Sequence, residues 1–339
     1  MVSMKDISAA CGVSVATVSK ALNDHGDIGT ETKNRIRQVA KQMGYFPNSA
    51  AKALKTNRTH NLGVLFEEED HSGLTHDYFA YVLDSLKSAV EEQGYDITFI
   101  NGCKTRPGRM SYLEHCRYRG FDGVVIVCVN YYDPEVLELV RSDIPTVTID
   151  HVFNNVCSVV SDNVKGIREL VQHVYHKGHR RIAYIHGINS EVAVTQRRLS
   201  SFYKTTEELG LQIPDEYIKA AAYRDTRASG IATAELLELE KRPTCIFYPD
   251  DFACYGGINV IKERGLSIPD DISVVGYDGI RIARHIEPKL TTLKQDTTQL
   301  GRKAAEKVIS LIEHPKTTLI EQIVVDGEVY EGNSVAWLV

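Results

Sequence analysis

From residue 61 onward the chain alternates short apolar runs with longer amphipathic stretches, and this alternation limits its fold more than any other feature. Apolar runs at 62–66, 96–100, 123–127 and 146–149 are separated by helical spacing at 77–93, at 110–118 and after Asp133. After residue 160 the pattern restarts, with helix 164–177, strand 181–186, helices 197–209 and 226–239, strand 245–248, helix 251–264 and strand 272–277. A late helix at 300–312 and two final strands complete it. Continuous β-α-β alternation implies a parallel sheet with helices on both faces. The predicted body is therefore α/β, two doubly wound parallel-sheet subdomains in series, with a ligand cleft between their carboxyl edges.

The first sixty residues are all-α in pattern. A helix over 4–11, a tight turn at Gly12-Val13 and a second helix over 15–23 capped by Ser14 make a helix-turn-helix. At about 100° per residue, Thr17, Val18, Ala21 and Leu22 share the side that packs on Ile7, Ala10 and Cys11. Val15, Ala16, Ser19 and Lys20 fall on the other side. Short side chains and one cation let a helix approach base edges, which bulky residues would prevent. For the motif alone, a small helical hairpin in an enzyme is the alternative. A third helix at 31–43 begins behind Gly29-Thr30 and stops at Gly44, with Ile36, Val39, Ala40 and Met43 at core spacing. Residues 49–55, beyond Tyr45-Phe46-Pro47-Asn48, span only about two turns, too short to hold a helix alone in water.

Charge supports this division. The 339-residue chain carries a net charge of −6, which by itself argues against nucleic acid. Residues 1–60, however, carry nine basic and four acidic side chains, a net +5, which leaves −11 for the remainder. A basic head on an acidic body suits a polyanion-binding module joined to something else. The seven cysteines are scattered without metal-ligand spacing and read as reduced core residues. With no apolar run of signal or membrane length, the expected location is cytoplasmic, with no membrane partner. No P-loop, Gly-x-Ser-x-Gly or His-Glu-x-x-His occurs, so no catalytic residue, metal or cofactor is expected. His173, His176 and His179 read as solvated histidines at a helix end, and 67–70 as a charged loop.

Read in order, Asp6-Ile7, Gly12-Val13-Ser14, Thr17-Val18-Ser19, Leu22-Asn23, Gly44-Tyr45, Pro47-Asn48, Ala51 and Leu54 resemble the DNA-binding head and hinge of the lactose-repressor/galactose-repressor (LacI/GalR) family of bacterial transcriptional regulators. The resemblance implies that Val15, Ala16 and Lys20 read the major groove. It places Ser14, Thr17, Ser19, Asn23, Lys33, Tyr45 and Asn48 at the phosphate backbone. A hinge helix would enter the minor groove with Ala51 and Lys52, and Leu54 would wedge into a base step. Lysine can bond guanine O6 and N7, small apolar chains suit a thymine methyl, and leucine can unstack a step. An apolar residue packing back onto the core is the alternative for Leu54. Two departures stand out: Lys20 replaces a frequent arginine and gives up bidentate geometry, and Gly29 replaces a usual serine cap.

The body shares the resemblance through Asp122-Gly123-Val124, Ile144-Pro145, residues 161–163, 178–182 and 268–278, Leu290-Thr291-Thr292 and Gln295. It implies a periplasmic-binding-protein-like body of discontinuous subdomains. The expected organisation is a helix-turn-helix domain at 1–47, a hinge helix and linker at 48–60, and an effector-binding and dimerisation domain at 61–339. Subdomain N would hold 61–160 plus 291–320, and subdomain C 161–290 plus 321–339. Implied effector contacts are Glu67 after the first strand, Tyr78 and Phe79 opening the first helix, Asp150 ending a strand, Arg198 beginning a helix, Asp225 in a loop and Asp278 closing Gly-Tyr-Asp. Arginine and aspartate suit vicinal hydroxyls, and an aromatic face covers a sugar ring. Core positions are the alternative for Tyr78 and Phe79, and a helix cap or an Arg198 partner for Asp150. Pro249 stands where the family has an asparagine, so a ligand-orienting amide is lost.

The expected function is that of a regulator, most simply a repressor, binding a palindromic double-stranded DNA operator as a homodimer under a small-molecule effector, a sugar. Helices 78–93 and 251–264 would supply much of the dimer interface, and no leucine-heptad tail follows. Alternatives are a family member answering mainly to a protein partner, a sugar-binding protein for uptake, and an enzyme on the same fold. The basic head and the missing signal peptide stand against the uptake protein.

Overall fold

The computed structural model describes residues 2–46, 53, 58–67, 73–100, 108–188, 192–285 and 287–338, in two compact units, Met1–Thr59 and His60–Val339. In the first unit lie α1 (Met4–Cys11), α2 (Val15–Leu22) and α3 (Thr30–Gln42). Each boundary has a local cause. The Asp6 carboxylate accepts from the Ser3 N–H at 2.8 Å, and Gly12 leaves α1 at φ 64°, a left-handed conformation that a Cβ would strain. Ser14 Oγ accepts from the Thr17 N–H at 3.0 Å to start α2, whereas Gly29 offers α3 no side-chain cap. Ile7, Val18, Ala21, Ile36 and Ala40 form the core, with Leu22 packed beside them.

Two six-stranded sheets build the second unit. The first contains β1 (Asn61–Phe66), β2 (Asp96–Phe99), β3 (Gly123–Val127), β4 (Thr146–Ile149), β5 (Cys157–Ser161) and β11 (Gln322–Val325), in the order β11-β5-β4-β3-β1-β2. The second contains β6 (Ile182–Gly187), β7 (Ile218–Ala221), β8 (Cys245–Phe247), β9 (Ser273–Asp278), β10 (Thr291–Lys294) and β12 (Glu328–Tyr330), in the order β12-β10-β9-β8-β6-β7. All pairs are parallel except β10 with β12. Helices α4 (Asp77–Glu92), α5 (Tyr112–Arg119), α6 (Pro134–Val140) and α11 (Thr297–Glu313) serve the first lobe, and α7 (Asn163–His176), α8 (Ala193–Glu208), α9 (Thr226–Glu238) and α10 (Asp251–Glu263) the second. Every residue of β3, β4 and β5 is buried, as strands covered on both faces must be.

Four features differ from the sequence-based expectation. The lobe crossings near 290 and 320 lie further on: β10 extends β9, with Thr291 opposite Val275, and β11 extends β5, with Gln322 opposite Ser158. Residues 291–294 thus belong to the second lobe and 322–325 to the first. Strands β5, β7 and β10 add to those expected from the sequence. Helix α8 starts at Ala193, so Arg198 lies within it and does not begin it. His179 is buried, not solvated, because the chain end returns over it: its ring nitrogens lie 2.9 Å from Thr244 Oγ1 and 3.2 Å from the Ala336 carbonyl oxygen. Among the described residues no group of three His, Cys, Asp or Glu is placed to hold a metal ion, and no helix is long and apolar enough to cross a membrane.

Candidate functional site

In the head, α2 leaves Val15, Ala16 and Lys20 exposed and Ser19 half-buried. Lys20 Nζ is in direct ion contact with Asp27. Asp24, left-handed at φ 59°, gathers Lys33 Nζ at 3.0 Å and Arg37 Nη2 at 2.8 Å. Asn23 Nδ2 donates to the Ser19 carbonyl at 2.7 Å, and the Ser14 and Thr17 hydroxyls lie 2.8 Å apart. Tyr45 packs half-buried against the head core. Asn48, Ala51, Lys52 and Leu54 lie outside the described residues.

In the body, the carboxyl ends of the two sheets bring a polar chain together. Asp150 follows β4 at φ 59°; its Oδ1 accepts from the Ser161 N–H and its Oδ2 from the Tyr78 hydroxyl, each at 2.9 Å. The Tyr78 hydroxyl also lies 3.4 Å from Gln295 Oε1, and Gln295 donates Nε2 to Asp278 Oδ1 at 2.6 Å. Arg198 Nη2 stands 3.7 Å from that same aspartate oxygen. Arg198 donates Nε to Asn163 Oδ1 at 2.7 Å and Nη1 to the Pro249 carbonyl at 3.0 Å, and its guanidinium lies 3.6 Å from the centre of the Tyr277 ring. Tyr78 and Asp150 belong to the first lobe, Arg198 and Asp278 to the second. Gln295 and Asn163 sit where the chain crosses between them. A second link, Arg224 Nη1 to Asp77 Oδ2 at 3.5 Å, also joins the lobes.

Burial sets the charge state of this cleft. It pushes the Asp278 carboxyl up to about 7 against the pull of Arg198, and it raises Asp150 and Asp250 as well. Buried Asp250 and half-buried Asp150 and Asp278 surround one guanidinium, an acceptor-rich set that suits a ligand with hydrogen-bond donors.

Four predicted contacts therefore meet in one network: Tyr78, Asp150, Arg198 and Asp278. The other three lie outside that hydrogen-bonded chain, though the Phe79 ring centre is 4.9 Å from that of Tyr78. Asp225 is exposed and caps α9, accepting from the Ala228 N–H at 2.8 Å. The Glu67 carboxylate accepts from the Tyr112 hydroxyl. Phe79 is half-buried against His76 and Phe66, with ring centres 4.7 and 5.7 Å away. For Asp150, neither a helix cap nor an Arg198 pair is found; Asp278 takes the arginine. Sequence reasoning gave no site role to Gln295, Asn163 or the Pro249 carbonyl, although Gln295 and Asn163 lie in matched stretches that could have flagged them. Pro249 lacks the asparagine amide, yet its carbonyl orients Arg198.

Residues 3–48 match the bacterial regulatory proteins of the lacI family, and residues 171–335 a periplasmic binding protein-like domain. The chain is 30% identical over 320 residues to the "Probable HTH-type transcriptional repressor ExuR" of Bacillus subtilis (strain 168), covering 94% of this chain and 93% of that protein. To the "HTH-type transcriptional repressor PurR" of Pectobacterium atrosepticum it is 29% identical over 317 residues, covering 92% and 91%. The fold is shared with a lac repressor dimer bound to operator and the anti-inducer ONPF, at TM-score 0.82 and 21% identity over 99% of both chains. It is also shared with a CelR–cellobiose complex, at TM-score 0.71 and 23% identity over 98% of this chain and 100% of the other. The chain belongs to the lacI family of bacterial regulatory proteins, and is a DNA-binding transcriptional regulator, not an enzyme.

Proposed function

We propose that this chain is a cytoplasmic transcriptional repressor that binds a palindromic operator as a homodimer, its DNA affinity governed by a sugar or similar polyol held between the lobes. Val15, Ala16 and Lys20 read base edges, Ser14, Thr17, Ser19, Asn23, Lys33, Tyr45 and Asn48 contact the backbone, and Ala51, Lys52 and Leu54 serve the minor groove. The observation that carries the effector reading is the Asp150–Tyr78–Gln295–Asp278–Arg198 chain, whose members come from both lobes. A polyol hydroxyl replacing any of these internal bonds would bind differently to different lobe angles, as an allosteric ligand must. The first lobe begins at β1, next in sequence to the hinge, so its rotation bears directly on the paired hinges.

The dimer reading draws support from exposed apolar side chains: Ile231 on α9, Tyr81 on α4 and Ile282. Helix α10 is mostly buried behind α9, so α9 contributes more of this face than the sequence implied. The test combines selection from randomised duplexes with thermal-shift screening against sugars. A two-fold symmetric selected site and a sugar-dependent rise in melting temperature are expected. A rise with a partner protein, and none with any sugar, would replace the effector reading with a protein-answering regulator.

A further inference from the structure

Lys20 is the cation on the outward face of α2, and it does not stand alone. Its Nζ contacts the carboxylate of Asp27, in the loop between α2 and α3, with both side chains about half exposed (49% and 52%). The loop's other acid, Asp24, acts elsewhere, holding Lys33 and Arg37 of α3. The hydrogen bond to Lys20 keeps the Asp27 carboxyl below the usual carboxylate range, so Asp27 is a carboxylate near neutral pH.

A lone lysine is a point charge that any phosphate satisfies. A lysine–aspartate pair is neutral overall and sets a donor beside an acceptor. An ammonium has three N–H donors, so Lys20 can keep Asp27 and still donate to guanine O6 or N7. The second Asp27 oxygen remains an acceptor that suits a cytosine N4 amino group. Against a phosphate, the same pair brings a carboxylate toward an anion. Such a pair would withhold affinity from arbitrary DNA and return it at a G·C edge.

We propose that Asp27 is a specificity-determining residue of the head: paired with Lys20, it turns a phosphate-seeking cation into a reader of a G·C base edge. This rests on α2 being the recognition helix. The test uses the full chain, wild type and Asp27→Asn, in selection from randomised duplexes, followed by binding to the selected and to an unrelated duplex over a range of salt. The amide is isosteric and the site exposed, so an unchanged melting temperature is expected. The wild type should prefer G·C at one position in each half-site. Asp27→Asn should bind the unrelated duplex more tightly and lose on the order of tenfold in discrimination at that position. Its salt slope on the unrelated duplex should steepen by about one per head. An unchanged base preference and an unchanged selected-to-unrelated ratio would overturn the proposal, as would equal weakening on both duplexes, which would make Asp27 a loop support. A wild type that selects no sequence at all would instead fail the recognition-helix reading, and this proposal with it.

Discussion

The Tyr78 hydroxyl donates to Asp150 Oδ2 at 2.9 Å, joining the start of α4 to the end of β4 beneath the cleft. The Ser161 N–H, on the other carboxylate oxygen, is the second donor described for Asp150. Tyr78→Phe removes the hydroxyl while keeping the ring, and it strips one bond from the half-buried Asp150 carboxyl, already raised by burial. A loss of about 1–3 kcal/mol in unfolding free energy is expected. Urea titration should show a lower midpoint with an unchanged slope. An unchanged midpoint would mean that solvent replaces the bond and that this part of the cleft is wet.

Asp278 contributes to the pH dependence of stability. Its carboxyl titrates at about 7 in the fold, against about 3.9 in an unfolded chain. The folded state therefore keeps a proton that the unfolded state releases between those values, so this contribution is complete below about pH 4 and is lost as pH rises through 7. Melting temperature should fall between pH 5 and pH 8, and Asp278→Asn should flatten that fall. A variant with the same pH profile as the wild type would show that another group carries it.

The body fold was legible because most of its inner strands carry short runs rich in β-branched and apolar residues, and such runs between helical stretches admit few arrangements. Strand β7, Ile-Lys-Ala-Ala, is a half-exposed edge strand with little β propensity, so it carries no period to read. The exact crossings depend on which edge strands accept β10 and β11, a choice made by sheet pairing far along the chain. At the site, Asp278 and Arg198 were legible as charged residues in matched positions. The Pro249 carbonyl was not, because a main-chain acceptor has no side-chain signature. The burial of His179 has no local signature either: its partners, Thr244 and the Ala336 carbonyl, lie far away in sequence.

Gly256 gives a packing prediction independent of ligands. A Cβ built there would lie 1.8 Å from the Thr226 carbonyl oxygen, where the start of α9 abuts α10. Backbone cannot yield as a side chain tip would, so Gly256→Ala should cost about 3 kcal/mol or more. Gly26, in the head, has nothing within 4 Å of a Cβ, and Gly26→Ala should change stability by less than about 1 kcal/mol. Chemical denaturation of both variants tests the contrast. Equal effects would show that the α9–α10 contact is looser than its geometry implies.

Lys20→Ala separates base reading from phosphate attraction. If Lys20 donates to a guanine edge, its loss should cost about 1–3 kcal/mol and relax preference at one position per half-site, leaving the other positions as selective as before. If it meets a phosphate, binding should weaken by the same factor on every duplex and the salt slope should fall by about one per head. The free head favours the first outcome: Lys20 already has its anion in Asp27, so a phosphate offers it little more than exchange of one carboxylate-like partner for another. Guanine O6 and N7 add acceptors that the ammonium can reach while keeping Asp27, and binding of the variant to duplexes that differ at that base pair alone would show which it uses.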